Sequence, residues 1–104
     1  MNNRIKNVFL TKKKKLITFI TAGDPNLNYS KKILDNLPKY GVDIMEIGMP
    51  FSDPMADGPT IQLSSNRSIK KGVGLNDIFS ICKKFRKSNN FTPVILMGYY
   101  NVIL

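Results

Sequence analysis

Two carboxylates are the residues of this chain best suited to chemistry. Glu46, the only glutamate, lies in an apolar run beside Ile44, Met45 and Ile47. Such surroundings disfavour the charged form of a carboxyl group, and proteins adapt carboxyl groups in this way for proton transfer near neutral pH. Asp57 follows in a loop that is rich in proline. Both side chains are therefore candidate proton-handling groups.

Each carboxylate also has a purely structural explanation. A buried Glu46 could be held by hydroxyl or backbone donors and serve only packing. Loop aspartates such as Asp57 commonly cap helices or form turns, and Asp24 and Asp53, which both precede proline, are typical turn residues. The chain has no histidine and no metal-ligand or glycine-rich phosphate motif, so no metal site is predicted.

The segments that must position these residues alternate between strand and helix. Apolar, β-rich runs predict strands over 16–21, 42–48 and 93–98. Helical spacing predicts a short amphipathic N-terminal helix over 4–10 and helices over 27–40, 60–71 and 75–87. Pro38 should kink the second helix or end it about a turn early. This alternation predicts a parallel sheet, either doubly wound or closed into a barrel.

Two of the predicted helices have an apolar face, and the face of the last helix should point inward. On the second helix the face consists of Ile33, Leu34, Leu37 and Tyr40. On the last helix it consists of Leu75, Ile78, Phe79, Cys82 and Phe85. Cys82 is therefore predicted to be a core residue. As the only cysteine it can form no disulfide within the chain, which fits a reducing cytoplasm.

The segments AGDP, GMPFSDPMADGP and GYYN follow the three predicted strands. Ligands gather at the carboxyl ends of parallel strands, so these polar and aromatic groups should converge at one edge. Because side chains alternate along a strand, Glu46 shares a face with Ile44 and Gly48. If that face points into a barrel, Glu46 enters the pocket.

The charge and length of the chain limit the classes of protein to which it could belong. The net charge of +9 invites a nucleic-acid-binding role, but only residues 12–15 form a lysine run, and no basic stripe interleaved with aromatics accompanies it. No secretory signal or run of 18 apolar residues is present, so we expect a soluble cytoplasmic protein without membrane contact. Three strands with an unfinished third connection leave apolar surface uncovered. We therefore expect residues 1–104 to be part of a longer protein.

Three segments of the sequence resemble the α subunit of tryptophan synthase. They are ITAGDP at 20–25, EIGMPFSDPMADGPTIQ at 46–62 and LMGYYN at 96–101, in order and correctly spaced across nearly the whole chain. The middle segment is long and specific. The resemblance implies a (β/α)₈ TIM barrel, a fold of about 250 residues. Residues 1–104 would be the N-terminal portion of that single domain, with its N-terminal helix and first three strands.

The resemblance also implies an activity, the retro-aldol cleavage of indole-3-glycerol phosphate to indole and glyceraldehyde 3-phosphate in tryptophan biosynthesis. By the family's motif, Glu46 is the general acid-base residue and Asp57 the partner of the indole N–H. Phe19, Met97 and Tyr99 would line the indole pocket. Another phosphate-binding barrel enzyme, an isomerase or epimerase, is the first alternative, and a basic nucleic-acid-binding module without enzymatic activity is the second.

The loop that begins at Asp53 resembles the mobile loop that meets the β subunit in an α₂β₂ heterotetramer. Asp53, Pro54 and Pro59 would then be interface or coupling residues. Pyridoxal phosphate belongs to the β subunit, and the resemblance implies no cofactor in this one. The family's phosphate-binding loops and lid lie beyond residue 104. Gly74 replaces the family's common hydroxyl cap and, with Pro38, implies weaker helices.

Overall fold

The computed structural model describes residues 3–51 and 57–99. Within them, helix α1 (Arg4–Val8) leads to strand β1 (Ile17–Thr21), helix α2 (Leu27–Asn36) and a 3₁₀ turn (Leu37–Tyr40). Strand β2 (Ile44–Gly48) follows. Two consecutive helices, α3 (Pro59–Lys70) and α4 (Leu75–Ser88), then lead to strand β3 (Val94–Met97). All the predicted strands and helices are present, with ends shifted by a few residues.

The three strands form one parallel sheet in the order β1-β2-β3, as predicted. Its register places Phe19 opposite Glu46 and Glu46 opposite Ile95. One row further toward the carboxyl edge, Gly48 lies between Thr21 and Met97. Paired residues of parallel strands point to the same side, so each row belongs to a single face of the sheet.

One face of the sheet forms the hydrophobic core with α2 and α4. Met45 and Ile47 point to this side and pack with Leu34 of α2 and with Ile78 and Phe85 of α4. Burying a side chain of this size stabilises the fold by about 1.5–3 kcal/mol. These contacts fix the orientation of β2 and therefore direct Glu46 to the opposite face.

That opposite face lacks a comparable cover in the described chain. Ile17, at the amino edge of this face, is 50% exposed, and Met97, at its carboxyl edge, is 55% exposed. Phe19, Glu46 and Ile95 between them are half-buried. A closed barrel would turn this face toward its interior, where layers of side chains from other strands fill the space.

Pro38 ends helix α2 as predicted. The α-helix stops at Asn36, the 3₁₀ turn contains Pro38, and Gly41 closes it with a φ of 100°. The prediction that Tyr40 lies on the same apolar face as Leu34 is wrong, because its side chain is 83% exposed whereas Leu34 is buried. A 3₁₀ turn advances three residues per turn instead of 3.6, which rotates Tyr40 away from the apolar face.

Phe79 was predicted to face inward, and that prediction is wrong. Its side chain is 54% exposed, whereas Ile81 is buried. Helix α4 is rotated so that Ile78, Ile81 and Phe85 contact the core, which leaves Phe79 at the margin. Cys82 is half-buried and packs against the core, and this burial raises the pKa of its thiol.

Hydrogen bonds join the chain at the amino-terminal edge of the sheet. The backbone N–H of Leu16 donates to the Asp43 carboxylate at 2.8 Å. Arg4 of α1 donates to the Asn90 side chain at 2.7 Å and to its carbonyl at 2.9 Å. Helix α1 is shorter than predicted and buries none of its own residues, so the Arg4–Asn90 hydrogen bonds are its side-chain attachment to the segment before β3.

Helix α4 begins without a hydroxyl cap. The Asp77 carboxylate instead accepts a hydrogen bond from the Gly74 N–H at 2.9 Å. This contact supplies one half of a capping box, in which a side chain three residues into the helix reaches back to the cap. In the described segments, no helix is long and apolar enough to cross a membrane.

Candidate active site

A cavity of about 180 Å³ lies at the carboxyl edge of the sheet. Its lining includes four of the residues that sequence analysis selected, namely Phe19, Asp57, Met97 and Tyr99. They come from β1, from the residues just before α3 and from the end of β3. The residues at the three strand ends therefore converge as predicted, and the Asp57 carboxylate lies in a mostly apolar cavity wall.

Asp57 is held from two sides. The Tyr99 hydroxyl donates to its carboxylate at 3.3 Å, and the Gln62 side chain donates to its backbone carbonyl at 2.7 Å. The Tyr99 ring in turn contacts Phe51, with 4.9 Å between ring centroids and a tilt of 34°. The half-buried carboxylate is thus oriented toward the cavity with acceptor capacity to spare.

The Phe19 ring lies across Gly48 on the neighbouring strand. A Cβ at position 48 would overlap ring atoms of Phe19. Because glycine has no side chain, the ring can extend over the strand and form part of the cavity wall. The close approach of ring and backbone is a specific reason for glycine at this position.

Glu46 does not line this cavity. It lies in the same row as Phe19 and Ile95, one row closer to the amino edge than Gly48 and Met97. Within the described chain, no residue donates a hydrogen bond to its carboxylate or forms an ion pair with it. The donors that a purely structural glutamate would need are therefore not seen in this part of the chain.

Helix α3 supplies two cavity residues that sequence analysis missed, Ile61 and Ser65. Ser65 is only 3% exposed. The two are four positions apart, so they share one face of the helix. This spacing was the only indication in the sequence that Ile61 and Ser65 could line a site together. It was not sufficient, because the two belong to no recognised motif and the sequence does not show which face of the helix points inward.

The buried residues of α3 are all serines: Ser64, Ser65 and Ser68. Ser64 shares a hydrogen bond of 2.6 Å with the Thr21 hydroxyl, and Ser68 donates to the Ala22 carbonyl at 2.5 Å. Polar contacts to the end of β1 therefore hold this wall of the cavity. No group of three potential metal ligands occurs among the described side chains.

Comparison with known proteins identifies the family. Residues 5–104 match the family model described as the tryptophan synthase alpha chain. The chain belongs to this family. The tryptophan synthase alpha chain of Nitrosomonas europaea is 52% identical over 105 residues, which cover 97% of this chain and 38% of that protein.

Solved structures of tryptophan synthase have the same fold. The α subunit from Legionella pneumophila matches with a TM-score of 0.94 and 41% identity, over 99% of this chain and 41% of that one. The tryptophan synthase α₂β₂ complex from Pyrococcus furiosus matches with a TM-score of 0.77 and 43% identity, over 86% and 35%. The chain thus spans about two fifths of its relatives, and the predicted fold, part of a TIM barrel, is confirmed.

The interface residues predicted from the tryptophan synthase resemblance are only partly within the described structure. Asp53 and Pro54 lie outside the described residues. Pro59 is the exposed first residue of α3 and follows Gly58, the N-cap. Proline suits that position because its missing N–H would have no partner within the helix. Pro59 thus has a local structural role whether or not it meets a partner.

Proposed function

We propose that this chain forms part of a tryptophan synthase α subunit that cleaves indole-3-glycerol phosphate to indole and glyceraldehyde 3-phosphate. The observation that carries the proposal is the Asp57 carboxylate in a cavity walled by Phe19, Met97 and Tyr99. Indole is a flat apolar ring system with a single N–H donor. An apolar cavity with one oriented acceptor suits such a ligand.

The proposed reaction needs two proton transfers. Protonation of indole C3 leaves positive charge on the ring nitrogen, and the Asp57 carboxylate stabilises that charge through the N–H. Removal of the proton from the adjacent hydroxyl then forms the aldehyde of glyceraldehyde 3-phosphate. The C–C bond breaks, and its electrons return to the ring to give neutral indole.

Glu46 is the proposed group for proton transfer at the substrate side chain. Its support is its family-motif position and its placement beside Phe19, in the same row and on the same face of the sheet. A substrate with its indole ring at Phe19 and Asp57 would extend its side chain over this face. Phosphate contacts would come from other parts of the complete protein.

We further propose that the partner is a tryptophan synthase β subunit in an α₂β₂ assembly. The matching Pyrococcus furiosus structure is an α₂β₂ complex. Asp53, Pro54 and Pro59 are the proposed coupling residues, and pyridoxal phosphate is assigned to the β subunit. A cytoplasmic location suits this biosynthetic role, and residues 1–104 form the N-terminal portion of one barrel domain.

Indole release by the complete polypeptide that the gene encodes, assayed with its β partner, tests the proposal. Glu46→Gln and Asp57→Asn should each lower kcat/KM by about 100-fold or more, because each removes a proton-handling or charge-stabilising group. Asp35→Asn on α2 is the matched carboxylate control and should retain activity. Products other than indole and glyceraldehyde 3-phosphate, or full activity in both variants, would refute the proposal.

A further inference from the structure

Helix α3 is attached to the end of β1 by an ion pair in addition to its serines. Arg67 donates from Nε to one Asp24 oxygen at 2.7 Å and from Nη2 to the other at 2.9 Å. Such two-point contacts define direction as well as distance. The Asp24 side chain is only 17% exposed, so one partner is well fixed. The Asp24 carboxylate also raises the pKa of the Arg67 guanidinium.

Asp57 is connected directly to this helix. Gly58, the next residue, is the α3 N-cap, and its carbonyl accepts the first-turn hydrogen bond from the Gln62 N–H at 3.0 Å. The Gln62 side chain also binds the Asp57 carbonyl at 2.7 Å. Movement of α3 along the sheet edge would therefore move the Asp57 backbone, while Tyr99 restrains the carboxylate from β3.

We propose that Arg67, through its ion pair with Asp24, is a positioning residue for Asp57. This inference rests on the proposed function, in which the Asp57 carboxylate must meet a ring nitrogen. Neither member of the pair lines the cavity that contains Asp57, so the pair acts through α3. A shift of about 1 Å in a catalytic group can lower a rate by about 100-fold, which makes the attachment of this helix relevant to the rate.

The test compares two ion pairs in the complete polypeptide with its β partner. Arg67→Gln should lower kcat by about 10-fold with a smaller change in KM, and Arg67→Lys should restore part of the loss because it keeps the charge. The control is Lys31→Gln, which breaks the Lys31–Asp35 pair of 2.7 Å within α2. It should leave kcat unchanged.

A double-mutant cycle separates positioning from a general effect on stability. In an Asp57→Asn background, Arg67→Gln should have little further effect on kcat, because the group that it positions is already lost. Independent, multiplicative losses in the double variant would overturn the inference. So would an Arg67→Gln enzyme with normal kcat.

A measurement that does not depend on catalysis distinguishes failure of this inference from failure of the proposed function. The side-chain carboxyl ¹³C resonance of Asp57, assigned by its loss in Asp57→Asn, should shift in Arg67→Gln but not in Lys31→Gln. If the wild-type protein releases no indole, the proposed function fails and this resonance alone decides whether Arg67 positions Asp57. An unchanged resonance would refute that positioning.

Discussion

At the scale of single residues, the site depends on which groups meet at one cavity and which do not. Asp57, Phe19, Met97 and Tyr99 surround the same space, whereas Glu46, which lies in the same row as Phe19 and one row below Met97, does not line it. The family resemblance indicated these residues together, but it did not show how deep each lies along the strands. Depth is set by strand register, which places Glu46 level with Phe19 and one row below Met97.

Gly48→Ala tests the residue-scale packing of the cavity wall. The new methyl group would overlap the Phe19 ring, and we expect a loss of about 1–3 kcal/mol in the free energy of unfolding. Urea denaturation of the complete polypeptide measures it.

Gly58→Ala is the control for this substitution, because a Cβ there meets nothing within 4 Å. Adding Phe19→Leu, which shortens the clashing ring, should recover part of the loss at Gly48. Equal free energies of unfolding for Gly48→Ala and Gly58→Ala would contradict the account of Gly48.

At the scale of elements, α3 differs from the other helices around the sheet. Helices α2 and α4 bury Leu34, Ile78 and Phe85 in the core, whereas α3 buries serines and leaves Leu63 exposed. Its attachment therefore depends on directional hydrogen bonds rather than on apolar area. A polar attachment fixes the direction of a helix, and α3 carries the residues that follow Asp57.

Ser68→Ala tests the polar attachment of α3. The substitution leaves the Ala22 carbonyl without its buried partner, and we expect a loss of about 1–3 kcal/mol in the free energy of unfolding. Ser80→Ala, on the exposed side of α4, is the matched control and should change stability by less than about 0.5 kcal/mol. Chemical denaturation measures both, and an unaffected Ser68→Ala protein would show that the bond contributes little.

At the scale of the whole molecule, the sheet has one face covered by α2 and α4 and one face that nothing in residues 3–51 and 57–99 covers to the same extent. Ile17 and Met97 remain about half exposed on the side that carries Glu46. Related chains continue over the remaining three fifths of their length. In a closed barrel, further strands would cover this face and complete the site proposed above.

A polypeptide of residues 1–104 alone should release no indole from indole-3-glycerol phosphate. Its open apolar face should bind a hydrophobic dye more strongly, residue for residue, than the complete polypeptide does. Fluorescence titration and an indole assay measure the two properties. Indole release by the short polypeptide would contradict the view that the remaining strands complete the site.

The sequence by itself determined the order of strands and helices, the parallel sheet, the early end of α2 at Pro38 and the family. These features follow from local periodicity, from proline's missing N–H and from a long, specific motif. Only the tertiary structure decided that Tyr40 and Phe79 face outward, that serines hold α3, that Arg67 binds Asp24 and that Glu46 stays out of the cavity lining. Helix rotation and contacts between distant segments decide these features, because a pattern along one segment does not specify what that segment meets.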